Sequence, residues 1–427
     1  MRVALLSSLE AVPGEPQGLR GDLPVGGRSV LRHQLALALA FGCKRIVALA
    51  ETLTGELVGL QHVAEEGGAR FHVVANTRAI VPLVAPEDEL LVLADGLLAA
   101  PGEALRLLEA GPAIVTLPVE TGIAAGFERI DINHAFAGAM RVPGRIVAGL
   151  GDLPSDWNPV SALLRLAVQA HLTMRDLPGP VFAEGRWALL RTEAEAHAME
   201  PKWLSLHAAG AFVTTPTGWL AALAVRLAGS ALLHAGTRPL VLHLAAVVLV
   251  LLGLGAGWFG WTAAGLLACG LGAVVSRTGD LLGRIERNAL LTRAARLSPE
   301  RLFGWALDGA IVSLCAWRSA VTVAVARVGA GAEGVVWLQR CFAPVALLLA
   351  LRLLARVLPA SRRMAWFGDR LLATVVLAIL ASSRAFDAGV GAMVVGLLAF
   401  ALARPNLGQN GAAIDGQAPN GPLTSNV

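Results

Sequence analysis

The chain has 427 residues, 55% of them hydrophobic and 15% charged, with a formal net charge of +4 and a mean hydropathy of +0.63. A soluble globular chain carries about 25% charged residues, so this composition argues against a wholly soluble protein. The positive charge is almost all arginine, with Lys44 and Lys202 the only lysines, and no basic face with interleaved aromatics accompanies it. That pattern excludes a nucleic-acid binder and suits an anionic membrane surface.

The apolar excess is uneven. Acidic residues concentrate in positions 1–200, long apolar runs fill about 237–403, and a Gly/Asn/Pro-rich tail follows Pro405. These shifts divide the chain into an α/β domain (1–205), a linker with an interfacial helix (206–236), an all-α polytopic membrane domain of six helices (237–404) and a disordered tail (405–427). Met1-Arg-Val-Ala-Leu-Leu-Ser-Ser opens a strand and carries no small-residue cleavage site, so a secretory signal is not expected. Cys43, Cys269, Cys315 and Cys341 show neither metal-ligand spacing nor a disulfide framework.

In chain order, Val3–Leu6, Arg45–Ala50, Arg70–Val74, Glu89–Leu93 and Ala113–Pro118 read as strands. Val30–Phe41, the stretch after Pro101 and Val160–His171 read as helices, the last entered from the Asp152-Leu-Pro-Ser-Asp156 loop. This alternation predicts an α/β sheet with helices on both faces, whose ligands sit beyond the carboxyl ends of the strands.

Two segments carry a resemblance. Arg20-Gly-Asp-Leu-Pro24-Val-Gly-Gly27-Arg-Ser-Val-Leu-Arg-His-Gln-Leu precedes Phe41-Gly-Cys-Lys-Arg-Ile-Val, and Leu91-Val-Leu-Ala-Asp95-Gly ends a strand. Together they are similar to the sugar-phosphate nucleotidyltransferases, over about 150 residues. The resemblance implies that Asp95 binds a catalytic metal and that Arg20 stands at the position of a phosphate-neutralising lysine; Asp131 is a candidate second metal carboxylate, against the commoner role of an aspartate at a strand end as a turn or capping residue. Strand one, however, is followed by Ser7-Ser8-Leu9-Glu10-Ala-Val-Pro-Gly14, without a phosphate-cradling glycine pair, and Glu10 would repel a triphosphate. His134, beside Asp131, reads as packed or exposed rather than catalytic.

Beyond the domain, Gly218-Trp-Leu-Ala-Ala-Leu-Ala-Val-Arg226-Leu-Ala-Gly-Ser230 is apolar and broken, which suits a helix lying on a membrane surface with Trp219 and Arg226 at headgroup depth. Six apolar stretches follow, at roughly 239–261, 262–276, 302–327, 337–358, 367–384 and 387–403. Arginines cluster in 277–301 and 356–370, whereas the Trp258–Trp261 turn and Gly329–Glu333 have none. The positive-inside rule therefore puts the N-terminal domain, both arginine-rich loops and the tail in the cytoplasm, with the bacterial inner membrane as the expected site.

The surface helix, the Thr237-Arg238-Pro239 turn, the six spans and Ser276-Arg-Thr-Gly279-Asp280-Leu-Leu-Gly283-Arg284 with Gly304-Trp-Ala-Leu-Asp308 resemble the CDP-alcohol phosphotransferases. That resemblance implies transfer of a phospho-alcohol from a CDP-linked donor to an acceptor alcohol or lipid, as in phospholipid synthesis. It also implies Mg²⁺ or Mn²⁺ and a homodimer, and the fusion of the two domains matches bifunctional proteins that first make the CDP-linked alcohol. The family pattern D-x-x-D-G-x-x-A-R, eight residues, G-x-x-x-D-x-x-x-D is only partly met. Ser276 and Gly279 stand at its first two aspartates, Val312 at its last, and 19 residues (285–303) separate the halves. Asp308 is then the catalytic and metal candidate, Asp280 the second metal ligand, and Arg284, Arg226 and Gly304 join Asp280 and Arg20 as substrate-binding residues. Three alternatives stand beside the transferase: Asp308 pairs with a loop arginine such as Arg284; the chain is a catalytically inactive ligand-binding or scaffold protein in envelope-lipid synthesis; or it is a transporter, which lacks the expected broken-helix repeats.

Overall fold

A central sheet of seven strands organises the first half of the chain: β1 (Arg2–Ser7), β2 (Arg45–Leu49), β3 (Arg70–Val74), β4 (Glu89–Leu93), β5 (Ala113–Pro118), β6 (His134–Pro143) and β7 (Met174–Asp176). The computed structural model describes residues 1–154, 157–208, 215–234, 239–290, 299–319, 332–357 and 364–403. Thr237 and Arg238, the loop arginines Arg293, Arg296, Arg362 and Arg363, and the tail 405–427 lie outside these residues.

The strands lie in the order β7-β5-β6-β4-β1-β2-β3. β1 runs parallel to β2 and β4, and β2 parallel to β3. β6 is antiparallel to both of its neighbours, and β7 pairs in parallel with β5. Successive side chains of β1 alternate between two cores, as the strand period requires. Ala4 and Leu6 face Leu31 and Leu35 of α1 (Val30–Ala40), Leu57 and Leu60 of α2 (Gly55–Glu66) and Leu108 of α3 (Pro101–Glu109). Val3 and Leu5 face Val160, Leu163 and Leu164 of α4 (Pro159–Gln169). All five expected strands are present. The strands β6 and β7 and the helix α2 are additional; β6 is a ten-residue strand buried along most of its length.

The chain forms two compact units, one made of Met1–Ala211, Leu220–His243 and Ser276–Pro299, the other of Phe212–Trp219, Leu244–Val275 and Glu300–Val427. The first unit therefore extends past residue 205. It takes in most of α6 (Pro216–His234), the start of α7 (Pro239–Trp258) and the second half of α8 (Thr262–Leu290). Ala289 packs with Val25, Leu190 and Trp203, the last on α5 (Glu193–Ala208). Leu281, Leu282 and Ile285 pack with Leu204, Ala221 and Val225.

The second unit is helical: the remainder of α7 and α8, then α9 (Pro299–Arg318), α10 (Ala332–Val357), α11 (Arg370–Ala381) and α12 (Phe386–Ala403). Leu266, Cys269, Leu307, Ile311, Leu314, Leu347 and Leu377 form its core. Each of the six expected apolar stretches carries a helix. Among the described residues two of them, Leu240–Trp258 and Thr262–Leu290, are long and apolar enough to cross a membrane.

Candidate functional site

From β1 the chain steps to β2 and β3 on one side, then returns to place β4 on the other side of β1. This reversal is a topological switch point. In open α/β sheets it leaves a crevice outside the carboxyl ends of the two strands, where ligands bind. The residues following β1 and β4 are Ser8-Leu9-Glu10 and Ala94-Asp95-Gly96, so Asp95 stands at the crevice that topology alone nominates.

Several local devices hold it there. Gln34 of α1 donates from its amide to the carbonyls of Ala94 (2.8 Å) and Leu97 (3.0 Å). Gly96 adopts φ +74°, and a Cβ there would collide with the Leu190 carbonyl oxygen, so the turn requires glycine. The Asp95 side chain is buried, and its Oδ2 accepts from Ser7 Oγ (2.8 Å) and the backbone N–H groups of Leu9 (3.1 Å) and Glu10 (3.2 Å). Its Oδ1 is buried without a hydrogen-bond partner among the described residues. Burial raises the carboxyl pKa to about 6, against the opposing pull of the Ser7 and Leu9 hydrogen bonds.

Glu10 and Arg20 are brought together by a short ribbon in which Ala11–Val12 pairs with Glu15–Leu19. The Arg20 backbone N–H donates to the Glu10 carbonyl at 2.9 Å, and the Arg20 guanidinium forms an ion pair with the Glu10 carboxylate. Asn158 caps α4 through its Oδ1, 2.9 Å from Val160 N, and turns its Nδ2 to Glu10 Oε1 at 3.4 Å. Neither Glu10 nor Asn158 was selected from the sequence as a binding residue. Glu10 carried a signal in its place directly after strand one, whereas Asn158 lies 148 residues away from it.

Asp131 occupies the turn before β6. Its Oδ1 accepts from the backbone N–H groups of Asn133 (2.7 Å) and His134 (2.8 Å), and His134 Nδ1 lies 3.0 Å away. The His134 contact, followed by the Asn133 amide, holds its pKa below the usual aspartate value. This is the chemistry of a capped turn.

Elsewhere in the first unit, Asp280 of α8 accepts from His243 Nε2 at 3.0 Å. Arg284 is half-buried one turn along the same helix, and Arg226 is exposed on α6. In the second unit Asp308 binds two arginines from other elements. Arg370 Nε donates to Oδ1 at 3.0 Å, and the Arg352 guanidinium binds Oδ2. Gly304, one turn before Asp308, leaves room for Arg370, since a Cβ there would lie 2.9 Å from its guanidinium. Trp305 covers Arg352, whose guanidinium carbon sits 4.3 Å from the ring centre. Asp308, Asp369, Arg352 and Arg370 line a cavity of about 260 Å³.

Mg²⁺ and Mn²⁺ require several converging oxygen ligands. Both Asp308 oxygens bind guanidinium groups, and Asp280, Asp131 and Asp95 Oδ2 are engaged with donors of the chain itself. No group of three His, Cys, Asp or Glu side chains able to hold a metal occurs among the described residues. The described residues do not fit the divalent ion that the resemblance implied. Arg352 and Arg370 were absent from the candidate set, although an arginine such as Arg352 in the middle of the apolar run 337–358 is a recognisable call for a counter-ion.

No protein-family model and no curated protein matches the chain. Among solved structures, a UDP-glucose pyrophosphorylase from Acinetobacter baumanii is similar at 12% identity and TM-score 0.35, covering 48% of this chain and 94% of that one. An inositol-1-phosphate CTP transferase from T. maritima is similar at 15% identity and TM-score 0.35, covering 47% of this chain and 96% of that one. At these scores the likenesses give the chain neither a family nor an activity.

Proposed function

We propose that this chain is a membrane-anchored, non-catalytic relative of the CDP-alcohol phosphotransferases, a ligand-binding or scaffold protein in envelope-lipid synthesis. The observation that carries this reading is the Asp308 carboxylate, committed to Arg352 and Arg370. A carboxylate bound on both oxygens by guanidinium groups is neither a free metal ligand nor a base for an acceptor hydroxyl. The pair of Asp280 with His243 supports the same reading.

Attachment to a bilayer is supported by the outward face of α7, where Leu244, Val248, Leu251 and Leu252 are exposed. Trp258, Phe259 and Trp261, exposed at the turn after it, form the aromatic group expected at headgroup depth. In this proposal all six apolar helices enter the membrane, the α/β domain and the tail face the cytoplasm, and the protein assembles as a homodimer.

The test is product release by purified full-length protein in detergent. CMP would be followed with CDP-inositol, CDP-glycerol or CDP-diacylglycerol and candidate acceptors, and pyrophosphate with CTP or UTP and sugar phosphates, each with and without Mg²⁺ or Mn²⁺. No metal-dependent release is expected. Release that is lost in Asp308→Ala would return the transferase reading in place of this one.

A further inference from the structure

We propose that the α/β domain holds the second half of α8 through a proton-sensitive latch, in which uncharged His33 and His207 contact Trp203 and protonation of the two imidazoles opens the joint. The inference goes beyond the reading above and stands whether or not the chain turns over a substrate.

The latch is built from three elements of the first unit. His33 lies on α1, Trp203 and His207 lie one turn apart on α5, and Ala289 lies in the last turn of α8. His33 meets Trp203 edge to face with ring centres 5.4 Å apart, and the His207 ring centre is 4.2 Å from that of Trp203. Ala289 packs with Trp203, Val25 and Leu190 in one buried cluster. Asn288, its neighbour, donates from Nδ2 to the His207 carbonyl at 3.3 Å. The end of α8 is thus seated on the residues that the two histidines hold. His33 Nε2 donates to the Val25 carbonyl at 3.0 Å, and His207 Nδ1 donates to the Trp203 carbonyl at 2.9 Å. Each bond needs one ring proton, which the neutral imidazole supplies.

A second ring proton is disfavoured here. Burial pushes the His33 pKa down to about 4, against the Val25 and Ala289 carbonyls, and His207 and Arg28 add to the lowering. Burial also lowers the pKa of His207, against the Trp203 carbonyl. The nearby carboxylates are committed: Glu200 of α5 accepts from the Gly26 N–H at 3.0 Å, and Glu286 of α8 binds Arg28. Arg32, Lys202 and Arg287 add positive charge on α1, α5 and α8, and Glu56 and Glu66 of α2 act on Arg32. The closed latch therefore binds fewer protons than the open one once pH falls below the ordinary histidine value of 6.5. Its hold is present above that pH and is lost as pH falls toward about 4. For His33 alone, opening becomes about tenfold more favourable between about pH 7.5 and 5.5.

The experiment is hydrogen–deuterium exchange of the full-length protein in lipid nanodiscs at about pH 7.5 and 5.5, corrected for the intrinsic exchange rate. Peptides covering 199–207 and 281–290 read the latch, and those covering β1 and β4 serve as reference. The expected result is about tenfold less protection of the latch peptides at the lower pH. The reference strands should lose none, because Asp95 shifts stability in the opposite direction over this window. His33→Gln, which keeps a donor for the Val25 carbonyl, should remove most of the loss, and His207→Gln a smaller part. Glu286→Gln should leave the loss in place, which separates histidine from carboxylate titration. Unchanged latch protection in wild type would overturn the proposal. So would a loss shared equally by the reference strands, or one that persists when both histidines are replaced. If His33→Gln does not fold by near-UV circular dichroism, the wild-type comparison and His207→Gln still decide: the first must show the loss and the second must reduce it.

Discussion

Asp95 and Asp308 are both aspartates in motif-like settings, yet they are held in opposite ways. Asp95 accepts from neutral donors, the hydroxyl of Ser7 at the end of β1 and two backbone N–H groups of the loop that follows. Asp308 is met by two full positive charges reaching it from α10 and the start of α11. Neutral donors offset part of the desolvation of a carboxylate, and at Asp95 burial still prevails, lifting its pKa to about 6. Two guanidinium groups more than offset its single charge and occupy both oxygens of Asp308. An aspartate in a motif-like setting is therefore not a function in itself; the charge of its partners decides whether it stays available for chemistry.

The comparison breaks most visibly at Asp308. Asp308→Ala would remove the carboxylate that Arg352 and Arg370 share. Removing one member of a fully buried cluster costs about 3–5 kcal/mol. The two arginine side chains are 34% and 40% exposed, so water recovers part of that loss. A destabilisation of about 2 kcal/mol is expected. It would be read as a lowered unfolding temperature in detergent, with Asp308→Asn falling between the variant and wild type. An unchanged transition would mean that the cluster is not structural.

At Asp95 the expected effect is a pH dependence. The folded-state pKa, about 6, lies above the ordinary aspartate value of 3.8. The folded protein therefore binds this proton more tightly than the unfolded chain. The resulting stabilisation is fully present below pH 3.8 and is lost as pH rises through about 6. Across that window wild type should lose about 2–3 kcal/mol relative to Asp95→Asn, which carries no titrating group. Parallel denaturation curves from pH 4 to 7 would check it. Identical pH profiles for the two proteins would show that Asp95 ionises freely, and the contrast with Asp308 would then lose its basis.

Much of the sheet was legible because its strands are short apolar runs bounded by turn residues. β6 was not, because His134-Ala-Phe-Ala-Gly-Ala-Met-Arg-Val-Pro143 is rich in small residues and is buried on both faces, which removes the alternation that marks a strand. The site was legible to a smaller degree. Asp95, Arg20 and Asp308 stand out by residue type and setting, but the groups that decide their behaviour lie far along the chain. Asn158 reaches Glu10 across 148 positions, and Arg352 and Arg370 reach Asp308 across 44 and 62. The expectation of an arginine partner for Asp308 identified the right chemistry, with Arg284 the example given. Which arginine binds it is set by helix packing, which a linear pattern does not encode.

The smallest effect belongs to Arg28 and Glu286, and it sharpens the comparison from the other end. This pair links the loop before α1 to the second half of α8, and its side chains are 47% and 23% exposed. Exposed pairs contribute about 0.2–1 kcal/mol because water solvates the separated charges and ordering two long side chains costs entropy. Arg28→Ala should therefore shift the unfolding free energy by about 0.5 kcal/mol, and the difference from wild type should shrink further in about 1 M salt. Hydrophobic contacts carry the rest of this junction, through Ala289 beside Val25 and Trp203. A loss as large as that of Asp308→Ala would mean that exposure does not rank these ion pairs. A small, salt-sensitive loss would support the ordering, in which burial rather than the presence of a salt bridge sets the consequence.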